Sequence, residues 1–246
     1  MTRWIRFEHV GTVGFGTLTD DTIAVHAGDM FDAPTATGVV LRLDQVAPLA
    51  PTAAGKMVAL WNNSRAMAAK LNQAIPAEPL YFIKTNGAYL GNGGTIRKPP
   101  SYDGKVVFEG ELGIVIGREA SIFGYTCVND VTAIEIIGRD PSFQQWTRAK
   151  SFDTFGVFGP VVATGLDLAT VSIRTVLNGQ ERQNYPVSDL IFQPAQIVHV
   201  ISQDTTLHAG DVVCCGTSVG VGSMRPDSTV AVTIDSIGTL CNRYEA

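Results

Sequence analysis

The chain has 246 residues, 45% of them hydrophobic and 17% charged, with a formal net charge of −5. That is enough apolar chain to bury a sizeable core, as one large domain or one domain with a small appendage. An acidic balance without a Lys/Arg run excludes nucleic acid as an expected partner, and no apolar run approaches the roughly 20 residues of a membrane span.

The first eight residues, Met1 to Glu8, carry no apolar stretch of the kind found in a secretory leader, so a cytoplasmic location is expected. Residues 1–54 alternate short apolar pieces (5–7, 10–18, 22–26 and 39–43) with turns, and predict a small β-rich N-terminal region. Thr19-Asp20-Asp21 reads as a hairpin turn, and Pro48-Leu49-Ala50-Pro51-Thr52 as the linker to a larger region at 55–246. His9 and His26 have no ligand-spaced neighbour and read as ordinary strand or surface residues. Residues 56–61 predict a strand. Asn62-Asn63-Ser64 then offers caps for a helix starting near Arg65 and closed by Pro76 and Pro79. Residues 80–85 predict another strand. Gly91-Asn92-Gly93-Gly94 is a turn without the Lys-Ser/Thr of a phosphate loop.

Residues 106–117 are β-branched and apolar between glycines, which predicts a strand carrying two carboxylates, Glu109 and Glu111. Residues two apart on a strand share a face. A second apolar strand at 124–131 ends in Asn129-Asp130, and a polar segment with Arg148, Lys150 and Asp153 follows. From Pro160 the chain reads as strands punctuated by Gly, Asn and Pro, with one helix at 194–202. His199 in that helix is expected to be a satisfied core or edge histidine, and His208 falls in a turn. The four cysteines (127, 214, 215 and 241) form no Cys-x-x-Cys pair, and they are read as free thiols. Adjacent Cys214 and Cys215 point to opposite faces of a strand. The glycines of 216–222 allow backbone N–H groups to approach an anion.

Two carboxylates on one buried face repel each other unless a cation intervenes, and all-oxygen ligands favour Mg²⁺, Mn²⁺ or Ca²⁺ over Zn²⁺. Glu-x-Glu alone reads more readily as the polar face of a half-exposed strand that happens to carry two Glu. Lys150 alone is equally compatible with an i,i+3 salt bridge to Asp153.

Longer motifs shift that balance. Phe108-Glu109-x-Glu111-Leu112, Gly124-Tyr125-Thr126-x-x-Asn129-Asp130-Val131 and Gln145-Trp146-Thr147-Arg148-x-Lys150-Ser151-Phe152-Asp153 closely resemble the fumarylacetoacetate hydrolase family. So do Val176-Leu177-Asn178-Gly179-Gln180, Gly216-Thr217-Ser218 and Ile237-Gly238-Thr239-Leu240. The resemblance runs from about Gly55 to Arg243. It implies a mixed β fold with few helices, an irregular β-roll, and a homodimer. It also implies a metal site on Glu109, Glu111 and Asp130 for Mg²⁺ or Mn²⁺, a catalytic Lys150, and substrate contacts from Arg148, Gly216, Thr217 and Ser218. The implied substrate is a small 2-oxo acid or its enol. Departures are Thr85 and Ser218 where the family has proline, and Ile134-Glu135 where it often has Arg-Asp. Ala66 and Ala69 stand where many members carry a His and a Glu three apart. Without that pair to activate water, the expected reaction is decarboxylation, isomerisation or tautomerisation of an unsaturated 2-oxo diacid in aromatic-compound catabolism. C–C hydrolysis of an acylpyruvate-like β-dicarbonyl is the alternative, and a non-catalytic metal- or ligand-binding protein the second.

Overall fold

In the computed structural model, which describes residues 1–246, the chain opens with an antiparallel meander of β1 (Thr2–His9), β2 (Thr12–Thr19), β3 (Thr22–Asp29) and β4 (Asp32–Arg42). Asp20 and Asp21 form the two-residue turn between β2 and β3, with Asp20 at φ +49°. Then come β5 (Ala47–Pro48), β6 (Met57–Trp61), α1 (Arg65–Leu71), β7 (Leu80–Lys84), β8 (Tyr89–Leu90) and β9 (Thr95–Arg97). Helix α1 starts where the cap residues predict, because the Met67 N–H donates to the Ser64 hydroxyl at 3.0 Å. It ends on Asn72 in the left-handed region, φ +51°.

The single strand expected over 106–117 is broken at Glu109 into β10 (Val106–Phe108) and β11 (Gly110–Ile116). The Glu109 N–H donates to the Asn129 side-chain oxygen at 3.0 Å instead of continuing a strand ladder, which lets the two halves join different sheets. Next are β12 (Ile122–Asp130), β13 (Thr132–Ala133), α2 (Ile134–Ile137) and α3 (Trp146–Lys150). The chain closes with β14 (Gly156–Thr164), β15 (Ser172–Leu177), β16 (Gln180–Pro186), α4 (Pro194–Asp204), β17 (Val212–Cys214), β18 (Gly222–Ser223), β19 (Thr229–Ile234) and β20 (Gly238–Glu245).

Three sheets result. The largest has the order β4-β3-β2-β1-β14-β12-β11-β17-β6-β7, with β5 and β8 attached at β1 and β14. A short sheet, β13-β10-β18, and a third, β16-β15-β19-β20-β9, pack around it. Most pairings are antiparallel; β6 with β17, β8 with β14 and β9 with β20 are parallel. This is the mixed β architecture with few helices that the resemblance implies. The N-terminal meander continues the large sheet through the antiparallel pairing of β1 with β14, Trp4 opposite Val162. Pro51 and Thr52, in the stretch that reads as a linker, are buried, and the Thr52 hydroxyl donates to the Gly210 carbonyl at 2.7 Å.

Both faces of the central strands are covered, so their sequences are nearly continuous apolar runs rather than alternations. Leu112, Ile114, Val58, Leu60, Val213 and Cys215 enter the main core, whereas Val115, Met57, Ala59, Val212 and Cys214 enter a smaller core on the other face. Cys214 and Cys215 therefore do point apart, and all four cysteines are free. No helix is long and apolar enough to cross a membrane.

Candidate active site

The break at Glu109 is also where the site forms. Glu109 and Glu111 flank Gly110 and point to one side, where Asp130 at the end of β12 meets them. One oxygen from each lies within 4.8 Å of the others. Gly110 is required by its surroundings: a Cβ there would overlap the Thr175 hydroxyl of β15. Asp130 and Glu111 are fully buried, and the Glu109 side chain, the most open of the three, is 15% exposed.

Two lysines answer this charge. Lys150 Nζ donates to Glu109 Oε2 and to Asp130 Oδ2, each at 2.7 Å. Lys84, at the end of β7 and wholly buried, donates to Asp130 Oδ1. Lys150 takes no part in a bridge to Asp153; the one-turn helix α3 aims it inward. Trp146, at the start of that helix, stacks on Phe82 at 5.6 Å and tilts against Trp61 at 4.7 Å. Lys150 Nζ lies 5.4 Å from the Phe82 ring centre.

The electrostatics follow from this arrangement. Burial raises the Glu109 pKa, and Lys150 only partly opposes it. Glu111 is raised further, by burial and then by the negative charges of Asp130 and Glu109. For Asp130 burial also pushes upward, but Lys150 and Lys84 together outweigh it and hold the carboxyl below its ordinary range. Lys150 is raised, because the carboxylates around it outweigh its own burial.

Every oxygen of the trio except one has a partner. The Thr132 hydroxyl donates to Glu109 Oε1 at 2.9 Å, and the Gly216 N–H to Glu111 Oε2 at 2.7 Å. Glu111 Oε1 is buried without a hydrogen bond. A buried carboxylate oxygen left unpaired is costly, and an ion is one of the few things that satisfies it. Oxygens that all lie within 4.8 Å of one another are no farther apart than about twice the 2.0–2.6 Å oxygen–cation distance of Mg²⁺ and Ca²⁺. The donor set therefore fits a hard divalent cation held by Glu109, Glu111 and Asp130.

Beside the trio opens a cleft of about 230 Å³. Its walls are apolar, formed by residues such as Trp61, Phe82 and Trp146, and Glu109, Lys150 and Thr217 also line it. That volume is below the roughly 300–1,000 Å³ of drug-sized sites, a size that suits a small molecule.

The remaining predicted residues fall into two groups. Gly216 and Thr217 join the site. Gly216, at φ +92°, turns its N–H onto Glu111, and the Thr217 hydroxyl donates to the Gly110 carbonyl at 3.0 Å. Ser218 and Arg148 do not face the cleft. Ser218 is buried beneath the loop and donates to Asp189 Oδ2 at 2.7 Å. Arg148 is exposed, bonded to Gln145 and lining a separate open groove. Residues 146–150 are helical, and two residues on a helix are about 200° apart, so an inward Lys150 forces Arg148 outward.

Several functional neighbours escape a sequence reading. Lys84 is the main one; it lies in Phe82-x-Lys84-Thr85, the stretch that resembles a family motif with Thr85 in place of proline, but nothing in that stretch places it beside the carboxylates. Gln183 accepts from the Gly110 N–H at 3.0 Å and donates to Thr217, and Tyr185 donates to the Gly110 carbonyl at 2.8 Å. Both lie in a segment, 180–186, with no motif of its own. None of the four histidines lines the cleft. His199 is exposed on α4, bonded to Gln203, rather than in the core.

A family profile described as Fumarylacetoacetate (FAA) hydrolase C-terminal matches residues 56–245, and one described as Rv2993c-like, N-terminal, matches residues 2–51. Protein Rv2993c of Mycobacterium tuberculosis is 40% identical over 238 residues, 92% of this chain and 87% of that protein. The oxaloacetate tautomerase YisK of Bacillus subtilis is 32% identical over 189 residues, 69% of this chain and 62% of that protein. Among solved structures, a 2-hydroxyhepta-2,4-diene-1,7-dioate isomerase from Mycobacterium marinum shares 36% identity at a TM-score of 0.90, over 100% of this chain and 98% of that one.

Proposed function

The chain belongs to the fumarylacetoacetate hydrolase family, and from that premise and the acidic cleft we propose that it is a divalent-metal-dependent enzyme that isomerises, tautomerises or decarboxylates a small 2-oxo acid or its enol. The observation that carries the reading is the carboxylate trio with one unpaired buried oxygen, Glu111 Oε1, beside a small apolar cleft into which Lys150 projects.

Mg²⁺ or Mn²⁺ on Glu109, Glu111 and Asp130 would supply Lewis-acid stabilisation of charge on the oxygens of a 2-oxo acid. The chain's own residues do the rest. Lys150 has three N–H donors and commits two, to Glu109 and Asp130, which leaves one for the cleft. With its pKa raised it stays protonated and can donate to an oxygen that gains charge as an enolate forms. Lys84 balances the other side of Asp130, so Asp130 stays ionised. Thr217, fixed by Gln183 and Gly110, shapes the polar end of the cleft. The aromatic wall of Trp61, Phe82 and Trp146 gives the cleft an apolar side.

The same cleft argues for proton or carboxylate chemistry over C–C hydrolysis. Hydrolysis needs a base to deliver water. Ala66 and Ala69 on α1 supply none, and the cleft lining contains no histidine. The relatives named above as an oxaloacetate tautomerase and a heptadienedioate isomerase support this choice. The test is a parallel assay of purified protein with Mg²⁺ on oxaloacetate, a 2-hydroxy-dienedioate and an acylpyruvate. Turnover of either of the first two should exceed cleavage of the third; faster release of pyruvate from the acylpyruvate overturns the reading.

A further inference from the structure

One charged side chain on the cleft wall has no part in the chemistry above. Met67, Lys70 and Leu71 of α1 line the cleft together. They stand at i, i+3 and i+4, which is one face of a helix. Lys70 is therefore directed along the wall with the two apolar side chains, not away from it. It is exposed, whereas Lys150 is 3% exposed, so the two cations mark the mouth and the floor of one cleft. Glu109, Lys150 and Lys70 are the only charged residues in the lining. Glu109 is committed to Lys150, and Lys70 takes part in none of the chain's ion pairs.

The rim that carries Lys70 is held in place at both ends. Asp189 accepts from the Ala66 N–H at 3.0 Å and from the Ser64 hydroxyl at 2.6 Å. Beyond the helix, Asn62 donates to the Ala74 carbonyl at 2.9 Å. An unpaired cation carried by an anchored helix at the mouth of an apolar cleft, with the acidic centre at its floor, is a two-ended recognition device.

We propose that Lys70 is a specificity-determining residue that reads the distal carboxylate of an elongated dicarboxylic substrate whose 2-oxo-acid end lies at the carboxylate trio. The inference rests on the 2-oxo-acid reading of the site and adds the second end of the substrate to it. A lysine in the last turn of a helix also complements the helix dipole. That role would change stability alone, whereas the proposed one changes which ligand binds.

The test is calorimetric binding to the Mn²⁺-loaded protein of a matched pair: 2-oxoadipate, and 2-oxohexanoate, which carries a methyl where the former has its distal carboxylate. The wild type should prefer the diacid by about two- to fivefold, the scale of one partly screened ion pair. Lys70→Met should abolish that preference and leave 2-oxohexanoate binding unchanged, and Lys70→Arg should retain it. A diacid preference that survives Lys70→Met, or equal binding of the pair to the wild type, overturns the assignment of Lys70 and leaves the 2-oxo-acid reading standing. Failure of both ligands to bind the wild type overturns both.

Discussion

Asp130 is the residue on which the site's charge balance turns, because both buried ammonium groups converge on it. Lys84→Met removes one of them and leaves a fully buried carboxylate with a single cation partner. Breaking a buried pair from one side costs about 3–5 kcal/mol; with Lys150 still in place the lower end is expected, measured by urea denaturation of the metal-free protein. Adding Asp130→Asn should recover part of the loss, since the two sites are directly coupled. Lys150→Met should lower turnover by about 10²-fold or more, as removal of one preorganised donor does, while Mn²⁺ still binds in a calorimetric titration. Loss of Mn²⁺ binding along with activity would make Lys150 a support for the carboxylates instead. Glu111→Gln replaces the acid that carries the unpaired oxygen with a neutral amide, and should weaken Mn²⁺ binding strongly with little change in fold. Of these residues Glu109, Glu111, Asp130 and Lys150 are legible as motif positions. Lys84 also falls in a stretch that resembles a family motif, but its place in the site is not legible, since nothing local says that a strand-end lysine will be wholly buried against Asp130.

At the scale of elements, the site depends on a strand that stops and restarts. β10 leaves for the short sheet, β11 stays in the large one, and Glu109 between them is free to turn toward Asp130. Gly110 permits this because β15 crosses so near. Gly110→Ala would drive a methyl into the Thr175 hydroxyl, and overpacking of this kind costs about 1–3 kcal/mol. Thr175→Ala in the same chain should restore much of the lost stability, because it removes a hydroxyl that has no hydrogen-bond partner. Thermal denaturation of the two single variants and the double variant checks this; a double variant no more stable than Gly110→Ala alone would place the strain elsewhere. Strands such as β6, β7 and β12, and helix α1, were predictable from apolar runs and caps, but the break between β10 and β11 was not. Helix α3 was not: five residues with no capping side chain are too short for periodicity to reveal, and so the outward turn of Arg148 was hidden.

At the scale of the molecule, the raised carboxyls of the site tie stability to pH and metal. An unfolded chain releases the Glu111 proton near the ordinary value of 4.5, whereas the metal-free native chain keeps it to higher pH. The unfolded state then binds fewer protons, so stability falls as pH rises from about 4.5 through the raised native value. Glu109 acts in the same direction. Asp130, with its lowered pKa, loses its stabilising effect only as pH falls below about 3.8, and Lys150 loses its own only above about 10.5, so neither masks the slope. A divalent cation needs the ionised carboxylates, and its stabilising increment should grow with pH across the same window. Scanning calorimetry between about pH 5 and 8, with chelator and with Mn²⁺, should show the two melting curves diverging as pH rises. Parallel curves would remove the trio as the metal site.

The sequence by itself determined the strand-rich fold class, the helix that Ser64 caps, and the pairing on one face of two carboxylates that flank a glycine. These follow from local rules: side-chain period, capping and turn chemistry act over a few residues. Only the tertiary structure decided that Lys84 meets Asp130 across 46 positions, that Ser218 supports its loop from beneath, and that β1 joins β14 across more than 150 residues. Such contacts are set by which sheet faces must be covered and by how buried charge is balanced, and both are properties of the assembled chain, not of any segment in it.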